Sequence, residues 1–370
     1  AALAFITIGY HFIFYNEVAG REGVLTDMEL YLGIGAVILL LEGTRRIMGW
    51  PLVILALIFL VYTFTGPYLP GLFEHRGYDI DRVISQIYLG ADGIFGTPLF
   101  VSSTFVVLIV ILGSLLEISG ASGVLMDIAT ALTGRARGGP AKAAVVGSSL
   151  MGMISGTAVA NVLTTGTISI PLMKRTGYRP AVAGAIEAVA STGGQLMPPI
   201  MGAAAFIMAD ITETPYTTIA LAAIIPSVLY YIAVFSAVHL EAVKMGIKPV
   251  IGDDLPKIMQ TFKHGGHLLL SIVIFILMLA FGYSIMYSSL YAIIGVVVLS
   301  YLRKWTRLTP ARLLTGLING AEAVLTVALA TGTAGIIIAI ISLTGLGLVF
   351  STLIITASAG NLFLALALTM

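Results

Sequence analysis

Two neighbouring polar stretches interrupt apolar segments of this 370-residue sequence. One is Ser155-Gly-Thr-Ala-Val-Ala-Asn161, and the other is Thr192-Gly-Gly-Gln-Leu-Met-Pro-Pro199. In a lipid environment, irregular backbone is tolerated only where protein or a water-filled cavity satisfies its polar groups. Two such breaks in neighbouring segments therefore predict a binding site.

The two prolines give the second break a specific chemistry. Each proline removes a helical hydrogen bond to the carbonyl four residues earlier, so Pro198 frees the oxygen of Gly194 and Pro199 frees that of Gln195. Carbonyl oxygens are suitable ligands for a small hard cation. The alternative is a proline kink without a ligand, because Pro and Gly are common in transmembrane helices.

The composition defines the environment in which these breaks must work. Apolar residues make up 58% of the sequence and charged residues 10%, whereas soluble domains usually carry about 25% charged residues. Apolar runs of nearly twenty residues, such as 268–286, favour spanning helices over barrel strands. The absence of Cys excludes disulfides and thiol chemistry. We predict an all-α polytopic protein of the lipid bilayer with no nucleic-acid partner. The sequence begins and stops inside apolar runs, which favours a fragment of a longer protein.

Basic residues flank the apolar run 143–173 at both ends. Lys and Arg collect on the cytoplasmic side of membrane proteins, so both ends are predicted to lie there. About thirty residues are too many for one crossing and too few for two, at ~20 residues each. The run is therefore predicted to be a re-entrant hairpin with its tip near Ala158, and a single tilted span is the alternative. The next segment, 181–209, is predicted to be a broken spanning helix. The basic flanks are Arg135, Arg137, Lys142, Lys174, Arg175 and Arg179.

An internal repeat indicates how these segments are organised. Residues 82–92 align without gaps with residues 312–322, and Ser119-Gly120 matches Thr344-Gly345. Each copy is expected to have an interfacial helix followed by a separate span. The interfacial helices of the two copies are expected to lie on opposite sides of the membrane. Inverted repeats with discontinuous helices are typical of alternating-access secondary transporters; an ancient duplication in a scaffold without transport is the alternative. The predicted parts are a first repeat at 28–240, a cytoplasmic linker at 241–265 and an incomplete second repeat at 266–370.

Three segments together resemble a known family. Gly152–Asn161, Thr165–Met173 and Gly184–Met201 resemble the large membrane subunit of TRAP transporters, the tripartite ATP-independent periplasmic transporters, and are most similar to fused permeases that work with TAXI-type binding proteins. Residues 1–27 resemble the end of the small-subunit region of such fused permeases, together with the loop that follows it. The resemblance implies an elevator mechanism in a bacterial or archaeal inner membrane. It also implies sodium-coupled uptake of a C4 or C5 dicarboxylate-like anion, delivered by a periplasmic binding protein, without a cofactor other than sodium.

The resemblance implies a cation site formed by the hairpin tip and the broken helix. The family's second hairpin would lie beyond Met370, together with a second cation site and half of the substrate pocket. The candidate cation ligands are Ser155, Gly156, Thr157, Asn161, Gly194, Gln195, Met197 and Pro198. The candidate substrate contacts are Thr157, Asn161, Thr164, Thr165 and Pro199.

Several of these residues have structural alternatives. Ser155 or Thr157 would serve equally well as the cap of the second hairpin helix, and Asn161 would serve to tie the two hairpin arms together. Glu187 is a candidate coupling residue, because intramembrane carboxylates are usually functional, yet it is also compatible with a position near the cytoplasmic interface. If Glu187 titrated, proton coupling would rival sodium coupling.

A pore and a membrane-embedded enzyme are the two other functional classes that the sequence raises. A channel-like pore would use the two breaks as a filter without a moving transport domain. A membrane-embedded enzyme is disfavoured, because the sequence offers no evident nucleophile, paired catalytic carboxylates or metal cluster.

Overall fold

The computed structural model describes residues 2–21, 24–249 and 256–369, and within these ranges the chain is helical without strands. It divides into two compact units, one formed by Ala1–Ser102 and Leu325–Met370 and the other by Ser103–Val324. The α-helices in chain order are α1 (Ala2–Ile13), α2 (Tyr15–Gly20), α3 (Asp27–Met48), α4 (Trp50–Thr65), α5 (Ile80–Ile84), α6 (Thr97–Val101), α7 (Val107–Ser119), α8 (Ala121–Thr133), α9 (Gly139–Ser155), α10 (Ala158–Arg175), α11 (Pro180–Gly193), α12 (Ala203–Ile211), α13 (Tyr216–Lys244), α14 (Ile258–Gly265), α15 (Leu270–Ala280), α16 (Ile285–Ser300), α17 (Pro310–Thr344), α18 (Leu346–Ser358) and α19 (Leu362–Thr369).

Five helical segments in the described part of the chain are long and apolar enough to cross a membrane. A crossing needs roughly 20 residues because the hydrocarbon core is about 30 Å thick. The prediction of an all-α polytopic membrane protein is therefore confirmed. The five segments are Trp50–Tyr68, Thr97–Ser119, Tyr216–Lys244, Ile258–Ala280 and Pro310–Thr344.

In the first unit, the start of α3 is ordered by a buried carboxylate. Thr26 and Glu29 form a reciprocal capping box, and Glu29 also accepts hydrogen bonds from the Tyr10 hydroxyl at 3.0 Å and Arg21 at 2.9 Å. Such a cap satisfies backbone amides that the helix itself leaves unpaired. The described residues before α3 therefore include the short helix α2 and an ordered cap.

The predicted break in the second repeat copy is wrong. Residues 312–322 and the span that follows form one helix, α17, whereas in the first copy the helical turn Ser85–Leu89 ends before Gly90 and α6 begins at Thr97. The first copy has three Gly and a Pro between residues 90 and 98, while the aligned stretch of the second copy, residues 320–328, has one Gly and no Pro. Gly and Pro disfavour a helix interior, so only the first copy breaks.

In the second unit, α9 and α10 form the hairpin. They are 17 and 18 residues long, which corresponds to roughly 26 Å at 1.5 Å per residue. Gly156 and Thr157 join them, and Gly156 has a φ of +62°, which glycine adopts without steric cost. The turn therefore lies one or two residues before the predicted tip at Ala158.

Small residues allow the base of the hairpin to pack tightly on α11 and α13. Ala141 and Ala144 of α9 form one buried cluster with Ala183 and Ala190 of α11. Lys142, one of the basic flanking residues, is buried here. Its Nζ lies 3.1 Å from His239 Nδ1 and 5.0 Å from the centre of the Phe235 ring.

The predicted broken helix 181–209 is interrupted as expected. The α-helix α11 ends at Gly193, a 3₁₀ turn covers Gly194–Leu196, and α12 begins at Ala203. Helical structure also enters both ends of the predicted linker 241–265, through the last turn of α13 and through α14. Residues 250–255 of this linker lie outside the described residues.

Candidate functional site

The hairpin and the broken helix meet at a close backbone contact. A Cβ added to Gly194 would lie 2.5 Å from the Cα of Gly152, and one added to Gly152 would overlap Gly194. A Cβ on Gly156 would lie 2.5 Å from the carbonyl oxygen of Met201. Real Cβ atoms do not tolerate such distances, so glycine is required at all three positions. The two predicted breaks are therefore adjacent.

Asn161 lies beside this contact and is fully buried. Its Nδ2 donates to the carbonyl oxygens of Ser148 at 2.8 Å and Ser191 at 3.4 Å. Asn161 thus ties the two hairpin arms together and also links them to α11. Because the amide nitrogen faces two acceptors, Oδ1 points away from them, and it is buried without a partner among the described residues. Burying an unpaired acceptor costs free energy, and a bound cation would satisfy it.

Glu187 is also fully buried. Its carboxylate accepts hydrogen bonds from Ser148 at 2.9 Å and Ser191 at 3.0 Å, and from Thr165 and Ser169. These four hydroxyls come from α9, α10 and α11. A buried carboxylate is tolerated when several donors replace its hydration shell, so Glu187 fastens both hairpin arms to the broken helix.

Two of the predicted substrate contacts on α10 differ in their surroundings. Thr165 is fully buried, and its hydroxyl bonds to Glu187 and to the Asn161 carbonyl oxygen at 2.7 Å. Both groups that the Thr165 hydroxyl contacts thus belong to the protein itself. Thr164 is half-buried and donates to Glu117 Oε1 at 2.7 Å.

The carbonyls at the proline break have backbone partners. Met197 N–H donates to Gly194 O at 3.2 Å, and Gly202 N–H donates to Gln195 O at 2.8 Å. The prolines remove the α-helical bonds as predicted, but the chain then turns back and supplies other donors. The expectation that these oxygens are left unpaired is therefore wrong, although each carbonyl retains a second lone pair.

Three tyrosines of α13 donate hydrogen bonds to the broken helix, a role that the sequence analysis did not predict. Tyr216 donates to Pro199 O at 2.8 Å and Ile200 O at 2.5 Å. Tyr230 and Tyr231 donate to carbonyls near the end of α11. The available signal was a tyrosine hydroxyl inside an apolar helix, since a buried Tyr O–H usually finds an acceptor. Pro199, a predicted substrate contact, therefore already uses its carbonyl in a structural bond.

Tyr216→Phe should lower the stability of the broken helix. The substitution removes both hydrogen bonds but keeps the ring stacked on Phe206, 4.5 Å between centroids. We expect a loss of about 1–2 kcal/mol, the usual net value of a buried hydrogen bond and its unsatisfied partner. The Tm of the purified protein provides the measurement. The control is Tyr283→Phe, because Tyr283 is 52% exposed; equal Tm values for both variants would contradict the role of Tyr216.

The hairpin tip also borders a cavity of about 180 Å³ on the side of α7. Ser155, Thr157, Thr164 and Glu117 line it, with Asn319 from the first part of α17. Thr157 is the N-cap residue of α10, but its side chain makes no capping bond, and Ser155 Oγ makes only a 3.4 Å bond to Thr157 O. The capping alternative therefore does not account for these hydroxyls.

Two of the other candidate cation ligands border a different space. Met197 and Pro198 line an apolar cavity of about 440 Å³, together with the candidate substrate contact Pro199 and residues of α13 and α15. The candidate residues thus line two different cavities. Among the described residues, no group of three or more His, Asp or Glu side chains is arranged to hold a metal ion.

Comparison with known proteins identifies related sequences. The family profile described as "Tripartite ATP-independent periplasmic transporter, DctM component" matches residues 35–370. The uncharacterized protein YgiK of Salmonella typhimurium is 31% identical over 163 residues, which are 43% of this chain and 35% of that protein. The C4-dicarboxylate TRAP transporter large permease protein DctM of Pseudomonas aeruginosa is 32% identical over 130 residues, 35% of this chain and 30% of that protein. The matched stretches cover about a third of the length of these two curated relatives.

Proposed function

Because the chain belongs to the DctM component family of the tripartite ATP-independent periplasmic transporters, we propose that it forms part of a permease for the sodium-coupled uptake of an organic acid anion. The family consists of multi-pass inner-membrane transporter components and not of enzymes. The proposed cargo is a C4 or C5 dicarboxylate-like anion. This assignment is supported by the Pseudomonas aeruginosa relative, whose name specifies C4-dicarboxylates.

The observation that carries the proposal is the contact between the two breaks around Asn161. Its buried Oδ1 has no partner within the described ranges, and the carbonyl oxygens of Gly194 and Gln195 lie on the adjoining break. Neutral amide and carbonyl oxygens are the ligands that hard cations prefer. Sodium bound here would hold the hairpin against the broken helix.

The proposed anion site lies at the start of α10. The N-terminus of a helix carries a partial positive charge and free amide donors, which suit a carboxylate. Thr157 and Thr164 line the adjoining cavity, and Thr157 makes no capping bond. This arrangement favours an anion at the hairpin tip without requiring a buried arginine.

The proposed mechanism is an elevator movement, and it is supported by the repeat between residues 82–92 and 312–322. The proposed partners are a periplasmic TAXI-type binding protein and a small-subunit-like region fused in the same chain. The test is uptake of radiolabelled dicarboxylate by full-length permease reconstituted in liposomes. Uptake should require both an inward sodium gradient and the binding protein. Large uncoupled currents would favour the pore alternative, and uptake driven equally well by a proton gradient alone would refute sodium coupling.

The substitution Thr157→Val tests whether the hairpin tip binds an ion or the substrate. The substitution preserves side-chain shape and removes a hydroxyl that caps no helix. We expect half-saturation by sodium or by substrate to shift about tenfold, which corresponds to ~1.4 kcal/mol for one hydroxyl contact to an ion.

The matched control is Thr167→Val on the same helix. Thr167 is exposed, and its hydroxyl donates to the Thr164 carbonyl of its own helix, at 2.9 Å. Uptake by the Thr167→Val variant should resemble that of the wild-type protein. Unchanged sodium and substrate dependence in Thr157→Val would argue against a ligand at the hairpin tip.

The surroundings of Glu187 support a positioning role rather than proton coupling. Both carboxylate oxygens accept hydroxyl groups from three helices. A group that exchanges protons during transport needs a path to water, whereas Glu187 has no exposed surface. We therefore assign Glu187 to holding the site together and keep sodium as the coupling ion.

A further inference from the structure

Glu117 is an intramembrane carboxylate that the two-break site does not use. It lies near the end of the apolar helix α7 and lines the cavity beside the hairpin tip. The walls of this cavity are closely packed. A Cβ added to Gly113 would lie 2.8 Å from Ile154 O, and Ser114 Oγ donates to Gly316 O at 2.8 Å. The carboxylate is thus held at a defined position between α7, the hairpin and α17.

Within the described part of the chain, the charge of Glu117 has no cationic partner. Thr164 donates to its Oε1 at 2.7 Å, but no Lys, Arg or His within the described ranges forms an ion pair with it. Arg312 approaches the same turn of α7, yet its guanidinium bonds to backbone carbonyls, including that of Ile118. An unpaired carboxylate inside a spanning helix is costly and usually functional.

The other polar groups around the cavity indicate what would balance this charge. The lining contributes hydroxyls from Ser155 and Thr157 at the hairpin tip and the amide of Asn319 from α17. Oxygen ligands of this kind select hard cations. An organic ammonium group would be better served by an aromatic cage, and the residues that line this cavity include no aromatic side chain.

We propose that Glu117 binds a coupling cation in this cavity, at an ion site, the Glu117 site, that is separate from the contact between the two breaks. The inference rests on the proposed sodium-coupled transport and adds an ion to it. The Glu117 carboxylate supplies the charge, while Thr157 and Asn319 supply neutral oxygens. The cation also offsets the repulsion between Glu117 and an anionic cargo at the start of α10.

Binding of radioactive sodium to purified full-length protein tests this site without requiring transport. Glu117→Gln keeps the shape of the side chain and an acceptor for Thr164, but removes the charge. We expect its sodium affinity at this site to fall at least about tenfold, so that less sodium is bound at subsaturating concentration. Thr164→Val removes the hydrogen bond and keeps the charge, and it should retain most of the binding. Asp210→Asn, at an exposed carboxylate of the same unit, should bind sodium like the wild-type protein.

The outcomes separate this site from the proposed function. If the wild-type protein binds sodium and Glu117→Gln binds it equally well, the Glu117 site is overturned while sodium coupling stands. If Thr164→Val loses as much binding as Glu117→Gln, the contact to Thr164 matters rather than the charge, and the Glu117 site is also overturned. If the wild-type protein binds no sodium, both this site and the proposed coupling are refuted.

Discussion

Gly194→Ala should abolish sodium-dependent uptake by the full-length permease. The added Cβ would lie 2.5 Å from the Cα of Gly152, and a backbone atom cannot move aside as the end of a flexible side chain can. Overpacking of this kind costs about 1–3 kcal/mol, and relief requires the hairpin to move away from the broken helix. The expected result is loss of sodium dependence, measured as uptake against sodium concentration, together with a lower Tm.

The helix that precedes Gly194 offers a control. Gly184 lies within α11, and a Cβ added there would meet nothing within 4 Å. Gly184→Ala should therefore transport like the wild-type protein and be equally stable or slightly more stable, because Ala favours a helix over Gly by about 1 kcal/mol. Wild-type sodium dependence in Gly194→Ala would mean that the contact between the two breaks is not required for ion binding.

Glu187→Ala should cause the largest loss of stability. The substitution leaves four buried hydroxyls from three helices without their shared acceptor. Each buried polar group left unsatisfied costs about 1–3 kcal/mol, and groups in one network do not add independently. We expect a loss of several kcal/mol, seen as a large decrease in Tm with loss of uptake.

Glu187→Gln distinguishes positioning from coupling. Gln keeps one acceptor oxygen, and hydroxyl groups can rotate to accept from its amide, so the Tm should recover in part and sodium-dependent uptake should return with it. Asp210→Ala, at an exposed carboxylate, provides the stability control. A Glu187→Ala protein with unchanged Tm but no uptake would instead indicate a direct coupling role.

The pattern of polar contacts explains why Asn161 and Glu187 belong to one assembly. Both contact Ser148 and Ser191, Asn161 through their carbonyl oxygens and Glu187 through their hydroxyls. Removing Glu187 therefore disturbs the backbone positions that orient the Asn161 amide. We therefore expect Glu187→Ala to weaken sodium binding at Asn161 indirectly, by displacing the backbone around it.

The continuous helix α17 shows where a repeat can mislead. Residues 312–322 match residues 82–92, which predicts the same break after both. The structure breaks only the first copy, where glycines and Pro98 follow, and continues through the second. The local composition predicts this difference, because Gly and Pro disfavour helix interiors, whereas the similarity between the copies does not.

The sequence by itself determined the class of the protein and the places where its helices are interrupted. Apolar composition requires spanning helices, and the glycines and prolines of 152–157 and 193–199 act on their own backbone, so their consequences are local. The family resemblance also followed from these segments, and it is confirmed over residues 35–370.

Only the tertiary structure decided which groups face one another. The Glu187 carboxylate meets a hydroxyl 39 residues earlier in the chain, and Tyr216 reaches the carbonyl of Pro199 from another helix. Whether Thr164 or Thr165 faces a cavity depends on the rotation of α10 against its neighbours. Such contacts arise when several helices pack together. The residue types along one segment do not determine which side chains of another helix it contacts.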